Sequence, residues 1–199
     1  MHPFRRTLFV LAVTSLVACA AQAKEHTYTL DPGHTDVVAT WTHMGFSQPS
    51  AMFTGIEGTL QFDPEHPEQA KLSVTVPIAS VHTASDALNE HLQNADFFDA
   101  AKYPVATFKS TKVERGVATD QLKVTGDLTL HGVTRPLTLN VTVGKVGPHP
   151  MSKALAAGFS ATAKLNRSEW GVKTYVPMIS DQIRLQITTE AAVEQAKAK

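Results

Sequence analysis

Between Leu122 and Val143 the chain alternates apolar and polar residues with a period of two. Leu122, Val124, Gly126, Leu128 and Leu130 fall on one side, and Lys123, Thr125, Asp127 and Thr129 on the other. After His131-Gly132 the pattern resumes, with Val133, Leu137, Leu139, Val141 and Val143 set against Thr134, Thr138, Asn140 and Thr142. This predicts two strands with one buried face, joined by a two-residue type I′ turn. Register follows from the turn: Leu130 opposite Val133, Leu128 opposite Arg135, Gly126 opposite Leu137. A slip of one residue would set the apolar side of one strand against the wet side of the other. Arg135 interrupts the apolar face beside the turn. Pro136 has no N–H to offer a further strand, so that neighbour is expected to begin later or to bulge.

The same alternation predicts strands over residues 28–30, 35–44, 53–62, 70–81, 103–110, 157–165 and 183–187. Between the fourth and fifth of these the period changes. Leu88 and Leu92 lie four apart behind Ser85 and Asp86, which predicts a short capped helix over residues 85–93. Phe97 and Phe98 can share a buried side only if the backbone there is not extended, and they are expected to plug or cover something. Residues 144–150 read as a loop, and the tail after Glu190 as a helical turn or a disordered end. The expected fold class is all-β, an antiparallel barrel or sandwich of about eight strands with one short helix. Many interior candidates are small: Ala39, Gly58, Gly126, Ala157, Ala161 and Ala163. Beside Trp41, Phe53, Phe108 and Phe159 they leave room for a small ligand in a barrel of this size, unless they simply pack against large neighbours.

The beginning of the chain changes where this barrel is expected to work. Arg5 and Arg6 precede an apolar run, residues 7–18, too short to span a bilayer, and Ala21-Gln22-Ala23 offers a cleavage site. Residues 1–23 therefore read as a signal peptide and 24–199 as one exported, periplasmic domain. Leu16-Val17-Ala18-Cys19 also resembles a lipobox, so anchoring through a lipidated Cys19 stands as the alternative. In either case no cysteine is left for a disulfide. Removing the signal takes two arginines from eighteen basic and eighteen acidic residues, leaving sixteen against eighteen. So even a balance gives no reason to expect nucleic acid or an anionic membrane surface as partner, and no later segment has the length of a transmembrane span.

Catalytic equipment is thin. There is no G-x-S-x-G elbow, phosphate-cradling loop or H-E-x-x-H, and the eight histidines left after the signal are scattered. His34 and Asp36 share a strand face and make a weak metal pair at best; a solvated edge is the plainer reading, and no metal or cofactor is expected. His43 and Arg135 each sit on an otherwise apolar face, and Arg167 follows a strand. Each is either an ordinary satisfied or snorkelling side chain or part of a polar mouth over an apolar interior.

Three stretches resemble the YceI family. The first is His91-Leu92-Gln93-Asn94-Ala95-Asp96-Phe97-Phe98, continuing through Lys102-Tyr103-Pro104 to Ala106-Thr107-Phe108. The second is the hairpin Gly126-Asp127-Leu128-Thr129-Leu130-His131-Gly132-Val133-Thr134-Arg135-Pro136. The third is Asn166-Arg167-Ser168-Glu169-Trp170-Gly171-Val172. His34-Thr35, His43-Met44-Gly45 and Phe53 are similar to that family's opening pattern, and the likeness covers residues 28–189. It implies a lipocalin-like barrel that binds isoprenoid lipids, either polyprenyl chains or isoprenoid quinones. Members are commonly periplasmic, are linked to stress and to quinone-dependent electron transport, and are known as homodimers. Ala39 stands where an aromatic is common, and Trp170 where Phe is common.

The expected function is thus non-catalytic binding, transport or storage of such a lipid. The tail would lie against Val37, Ala39, Trp41, Phe53, Ile56, Phe97, Phe98, Phe108, Leu128 and Phe159, with the head near His43, Arg135 or Arg167. A cofactor-free enzyme using His43 as base, and a solid-core module that binds another envelope protein, remain as rivals.

Overall fold

A computed structural model describes residues 25–194; the expected signal segment, its expected cleavage site and Cys19 lie outside them. The alternating runs become ten strands: β1 (His26–Leu30), β2 (Asp36–Thr40), β3 (Ser50–Phe53), β4 (Glu57–Phe62), β5 (Lys71–Pro77), β6 (Val105–Arg115), β7 (Gln121–Leu130), β8 (Val133–Pro148), β9 (Leu155–Asn166) and β10 (Gln182–Ala192). One α-helix, α1 (Asp86–Gln93), stands between β5 and β6. Every pairing is antiparallel, in the order β1-β4-β5-β6-β7-β8-β9-β10, and β10 then pairs with β1. β2 lies beyond β1 along the same edge of β10, and β3 beside β2. β1 with β2, and β3 with β4, are therefore broken halves of two long strands, and the sheet is a closed barrel of eight. Closure pairs every strand with two neighbours and leaves no long free edge.

Both breaks have local causes. After β1 the Asp31 carboxylate accepts from the Gly33 N–H at 2.9 Å and holds the His34 ring at 2.7 Å. That tight turn bulges five residues against two of β10, and Asp31 N–H still donates to the Glu190 carbonyl at 2.8 Å. Between β3 and β4, Gly55 takes a φ of +63°, a left-handed conformation that Gly adopts without a Cβ clash. Of the predicted continuous strands, 53–62 is interrupted at Gly55, where the inward phase shifts from Phe53 to Ile56, and 35–44 leaves the ladder after Thr40 for a turn closed by His43 and Ser47.

The β7–β8 hairpin has the predicted register, from Leu130 opposite Val133 to Leu122 opposite Val141. His131 and Gly132 have φ of +50° and +75°, as a type I′ turn requires. On the wet face the hydroxyls of Thr129 and Thr134 meet at 2.8 Å, and those of Thr125 and Thr138 at 2.9 Å. β9 pairs with β8 only from Asn140 onward, which leaves Pro136 without a strand on that side. α1 also forms as predicted, its Ser85 hydroxyl accepting from the Leu88 N–H.

Two expectations fail. Residues 144–148 are strand, not loop: after a bulge between Val143 and Val146, Gly147 and Pro148 pair with Ala156 and Leu155. A bulge shifts the alternation by an odd step, so the sequence pattern dissolves where the ladder continues. Ala191 and Ala192 are neither helical nor a free tail; they pair with Leu30 and Thr29 and shut the barrel. Alanine is a poor strand former on its own, and here tertiary pairing overrides that preference.

The interior divides along the barrel. At the foot, Tyr28, Leu30, Leu60, Phe62, Ala157 and Ala191 pack together. Rings there meet edge to face, Tyr28 with Phe62 at 6.3 Å and Phe62 with Phe159 at 5.4 Å. At the opposite end, Ala51, Phe53, Ile78, Val81, Leu92, Phe97, Ala106 and Val172 gather under α1.

Candidate functional site

Between those two clusters lies a cavity of about 460 Å³. Its volume falls within the range of small-molecule pockets. Aliphatic and aromatic side chains from nearly every strand form its wall, and the few polar ones are Thr35, His43, His91, Ser160, Arg167, Tyr175 and Thr189. Because strands expose alternate side chains inward, one apolar face per strand rolled into a ring gives a lining of this kind.

All ten residues expected on the apolar wall stand there: Val37, Ala39, Trp41, Phe53, Ile56, Phe97, Phe98, Phe108, Leu128 and Phe159. Phe97 and Phe98 follow α1 in a run of turns, with Phe97 N–H donating to the Asn94 carbonyl and Phe98 N–H to that of Leu92. This folded backbone turns both rings inward. Phe98 meets Phe53 edge to face at 5.8 Å, and Phe97 meets His91 at 4.9 Å.

The small residues expected to leave room do so only in part. Of the small residues, Ala39 and Ala161 line the cavity, whereas Ala157 and Ala163 are packed away from it. A Cβ on Gly126 would collide with the Phe108 ring and the Lys109 carbonyl, and one on Gly58 would lie 2.6 Å from the Ser73 carbonyl oxygen. Those glycines serve close packing of neighbouring strands. The space suits the circumference of an eight-stranded barrel, with Ala39 and Ala161 adding to it.

The three expected polar residues part company. His43 lies at the open end, on the cavity wall and exposed; its backbone N–H donates to the Ser47 carbonyl at 2.9 Å. Arg135 does not reach the cavity. Its side chain is exposed and donates to the Glu169 carbonyl at 2.7 Å, pinning the short 3-10 helix Arg167–Trp170 against the hairpin. The register that put Arg135 on the apolar face was right, but the gap between β8 and β9 there is filled by Trp170, whose indole N–H donates to the Leu128 carbonyl at 3.0 Å.

Arg167 is only 6% exposed and touches the cavity, yet its donors are engaged elsewhere. The guanidinium donates to the carbonyls of Val172, Thr174, Ile179 and Ser180 at 2.9 to 3.1 Å. Burial pushes its pKa below the ordinary value, and Asp181 opposes that shift. Asp181 itself accepts from the Ser168 N–H and hydroxyl at 2.8 and 2.6 Å. Arg167 is a clamp that folds residues 172–180 over the open end. Its fork of donors suits four carbonyls in a way that a lysine's point charge does not.

Sequence reasoning missed Leu88, His91, Val172, Tyr175 and Ile179, which also line this end. The first two were within reach: Leu88, His91 and Leu92 lie at i, i+3 and i+4 and share a helix face. Tyr175 and Ile179 stand in an irregular loop, where no period marks a buried side. Thr174 ties that loop to the aromatic segment, its hydroxyl donating to the Asp96 carbonyl at 2.6 Å. His34, paired with Asp31, is at the β1–β2 turn and forms no metal cluster with Asp36; no group of three or more potential ligands occurs among the described residues.

Comparison with known proteins matches residues 28–191 to the YceI-like domain. The chain belongs to the YceI family. Protein YceI of Escherichia coli O6:H1 is 35% identical over 193 residues, which cover 96% of this chain and all of that protein. The crystal structure of the YceI protein of Campylobacter jejuni superposes with a TM-score of 0.69 at 33% identity, covering 77% of this chain and 90% of that one. A polyisoprenoid binding domain from Saccharophagus degradans, 15% identical, shares the fold with a TM-score of 0.63 over 84% of this chain and 98% of its own. No helix among the described residues of this YceI-family chain is long and apolar enough to cross a bilayer.

Proposed function

We propose that this protein binds an isoprenoid lipid, a polyprenyl chain or an isoprenoid quinone, and carries or stores it in the bacterial periplasm without transforming it. The observation that carries this reading is the cavity: about 460 Å³ with almost wholly apolar walls. Each isoprene unit buried there, five methylene-sized groups at about 0.8 kcal/mol apiece, gains roughly 4 kcal/mol before the cost of ordering the chain. A tail can therefore be held tightly with no charged group in contact. Membership of the YceI family, and the polyisoprenoid ligand of a protein with the same barrel, support the same ligand class.

The polar end suits a head group. His43, His91 and Tyr175 stand together at the opening, while Arg167 is occupied by backbone carbonyls. General-base catalysis by His43 would need an acid or nucleophile within hydrogen-bond reach. Among the described residues no side chain hydrogen-bonds its ring.

Native mass spectrometry of the protein isolated from its host's envelope tests the reading. A co-purifying isoprenoid, or stoichiometric uptake of added polyprenol or ubiquinone, is expected; neither appearing would remove it. N-terminal sequencing of the same sample reports the route of export. A chain starting at Lys24 marks plain secretion, and a blocked, acylated Cys19 marks a lipoprotein.

A further inference from the structure

The open end of the barrel is ringed by apolar side chains that face water. Phe46 is 90% exposed, Met178 58%, Met44 51% and Tyr175 50%. They come from two loops that are stitched together. Met44 N–H donates to the Met178 carbonyl at 2.8 Å, Ser180 N–H donates to the Thr42 carbonyl at 2.9 Å, and His43 bridges to Ile179. The first loop is a miniature hairpin: Phe46 N–H donates back to the His43 carbonyl across Met44 and Gly45, whose φ values are +49° and +79°. Left-handed backbone is uncommon for a methionine, and Tyr175 in the second loop has it too, at +62°. Both loops thus hold large apolar side chains outward on tight, internally bonded turns.

Their charge is as selective as their apolarity. Residues 41–50 and 171–180 contain no carboxylate and a single cation, Lys173, in a chain with eighteen acidic residues. The nearby carboxylates lie outside these two loops: Asp86, Glu90, Asp96 and Asp99 on α1 and just after it, and Glu169 and Asp181 at the base of the mouth, Asp181 engaged by Ser168. Acids among the protruding residues would be repelled by an anionic lipid surface and costly to desolvate at a zwitterionic one, and here there are none. These loops are also continuous with the cavity, because His43, Tyr175 and Ile179 line it from the same segments.

We propose that this rim docks on the surface of a phospholipid bilayer. Phe46, Met44 and Met178 enter the head-group region, so that the lipid passes between membrane and cavity without crossing water. The inference rests on the lipid-binding reading for what is passed, but the docking itself stands on the rim. Separated single protrusions suit a fluid acyl boundary, which deforms around each side chain.

The test compares the wild-type protein, as isolated from the envelope, with F46S/M178S and F46L. None of these positions lines the cavity. Partition onto vesicles of phosphatidylethanolamine and phosphatidylglycerol is measured by sedimentation, farnesol uptake in solution by calorimetry, and oligomeric state by light scattering. Expected are vesicle binding by wild type and F46L, at least about tenfold weaker partition for F46S/M178S, and equal farnesol uptake by all three. No partition of wild type, or equal partition of F46S/M178S, overturns the docking. So does a wild-type dimer that F46S/M178S dissociates while vesicles bind neither, for the rim would then be a self-association surface. Rim-dependent vesicle binding without farnesol uptake would uphold the docking and remove the lipid-binding reading instead.

Discussion

The two ends of this barrel are built by opposite means. At the foot, ladder hydrogen bonds run to the strand ends, and Tyr28, Phe62 and Ala191 are almost completely buried. At the mouth, strands give way to turns, and one cation gathers four carbonyls to hold residues 172–180 in place. The foot is stabilised by many small, redundant contacts; the mouth depends on a few concentrated ones. Such an arrangement lets an opening change shape while the sheet stays intact, since local unfolding is easiest where backbone pairing is sparse.

The largest expected effect breaks the mouth. Arg167→Ala leaves four carbonyls without their donor, and hydrogen bonds to charged groups contribute about 1.5 to 3 kcal/mol each. Loss of about 3 kcal/mol or more of stability is expected in urea unfolding, with Arg167→Lys recovering only part of it. Hydrogen exchange should accelerate first over residues 172–180. If protection vanished equally at the foot, the two ends would not be separable. A smaller effect is expected inside. Ala39→Phe fills part of the cavity from β2, and uptake of a long polyprenol should weaken about tenfold while the melting temperature holds. Unchanged uptake would mean that the tail does not lie along β2.

At the foot, the Tyr28 hydroxyl is fully buried without a hydrogen-bond partner, and Asp63 Oδ2 shares that state. Burial, with Asp63 second, raises the Tyr28 pKa. Tyr28→Phe removes an unsatisfied group at nearly constant volume, so thermal unfolding should show no loss of stability and a gain of up to about 1 kcal/mol. A clear loss would reveal a partner for that hydroxyl.

The smallest effect concerns the β1–β2 turn. The hydrogen bond between Asp31 and His34 lowers the Asp31 pKa, helped by the Gly33 N–H, and raises that of His34. The His34 share of stability is complete below the ordinary imidazole value and fades as pH rises through its raised pKa. The Asp31 share is complete above the ordinary carboxylate value and fades as pH falls through its lowered one. Both act together between about pH 4 and 6.5. In an NMR titration, Asp31→Asn should shift the His34 midpoint downward; an unmoved midpoint would show that the pair does not persist in solution.

The same contrast explains what the sequence made legible. Along β7 and β8 each side chain's face is set by parity, so Leu122 to Val143 could be paired residue by residue before any coordinates. The same parity placed Val37, Phe108, Leu128 and Phe159 on the inner wall. Where a bulge or a positive φ intervenes, parity fails, as it did at Gly55 and at Gly144. Arg135 was misplaced for a related reason: its face was right, but the 3-10 helix that occupies that face is positioned by tertiary contacts alone. Arg167 and Tyr175 belong to irregular backbone, whose geometry is written in hydrogen bonds to distant carbonyls, and no local spacing announces them.

The seam that shuts the ring joins Thr29 and Leu30, in the first strand of the barrel, to Ala191 and Ala192, in its last. A growing chain cannot complete the circle, because its first strand must wait for its last. Until then β1 presents a bare edge to whatever shares the compartment. Closure of the ring is therefore tied to the arrival of β10, and a chain that lacked this strand would keep an open, adhesive sheet in place of a vessel.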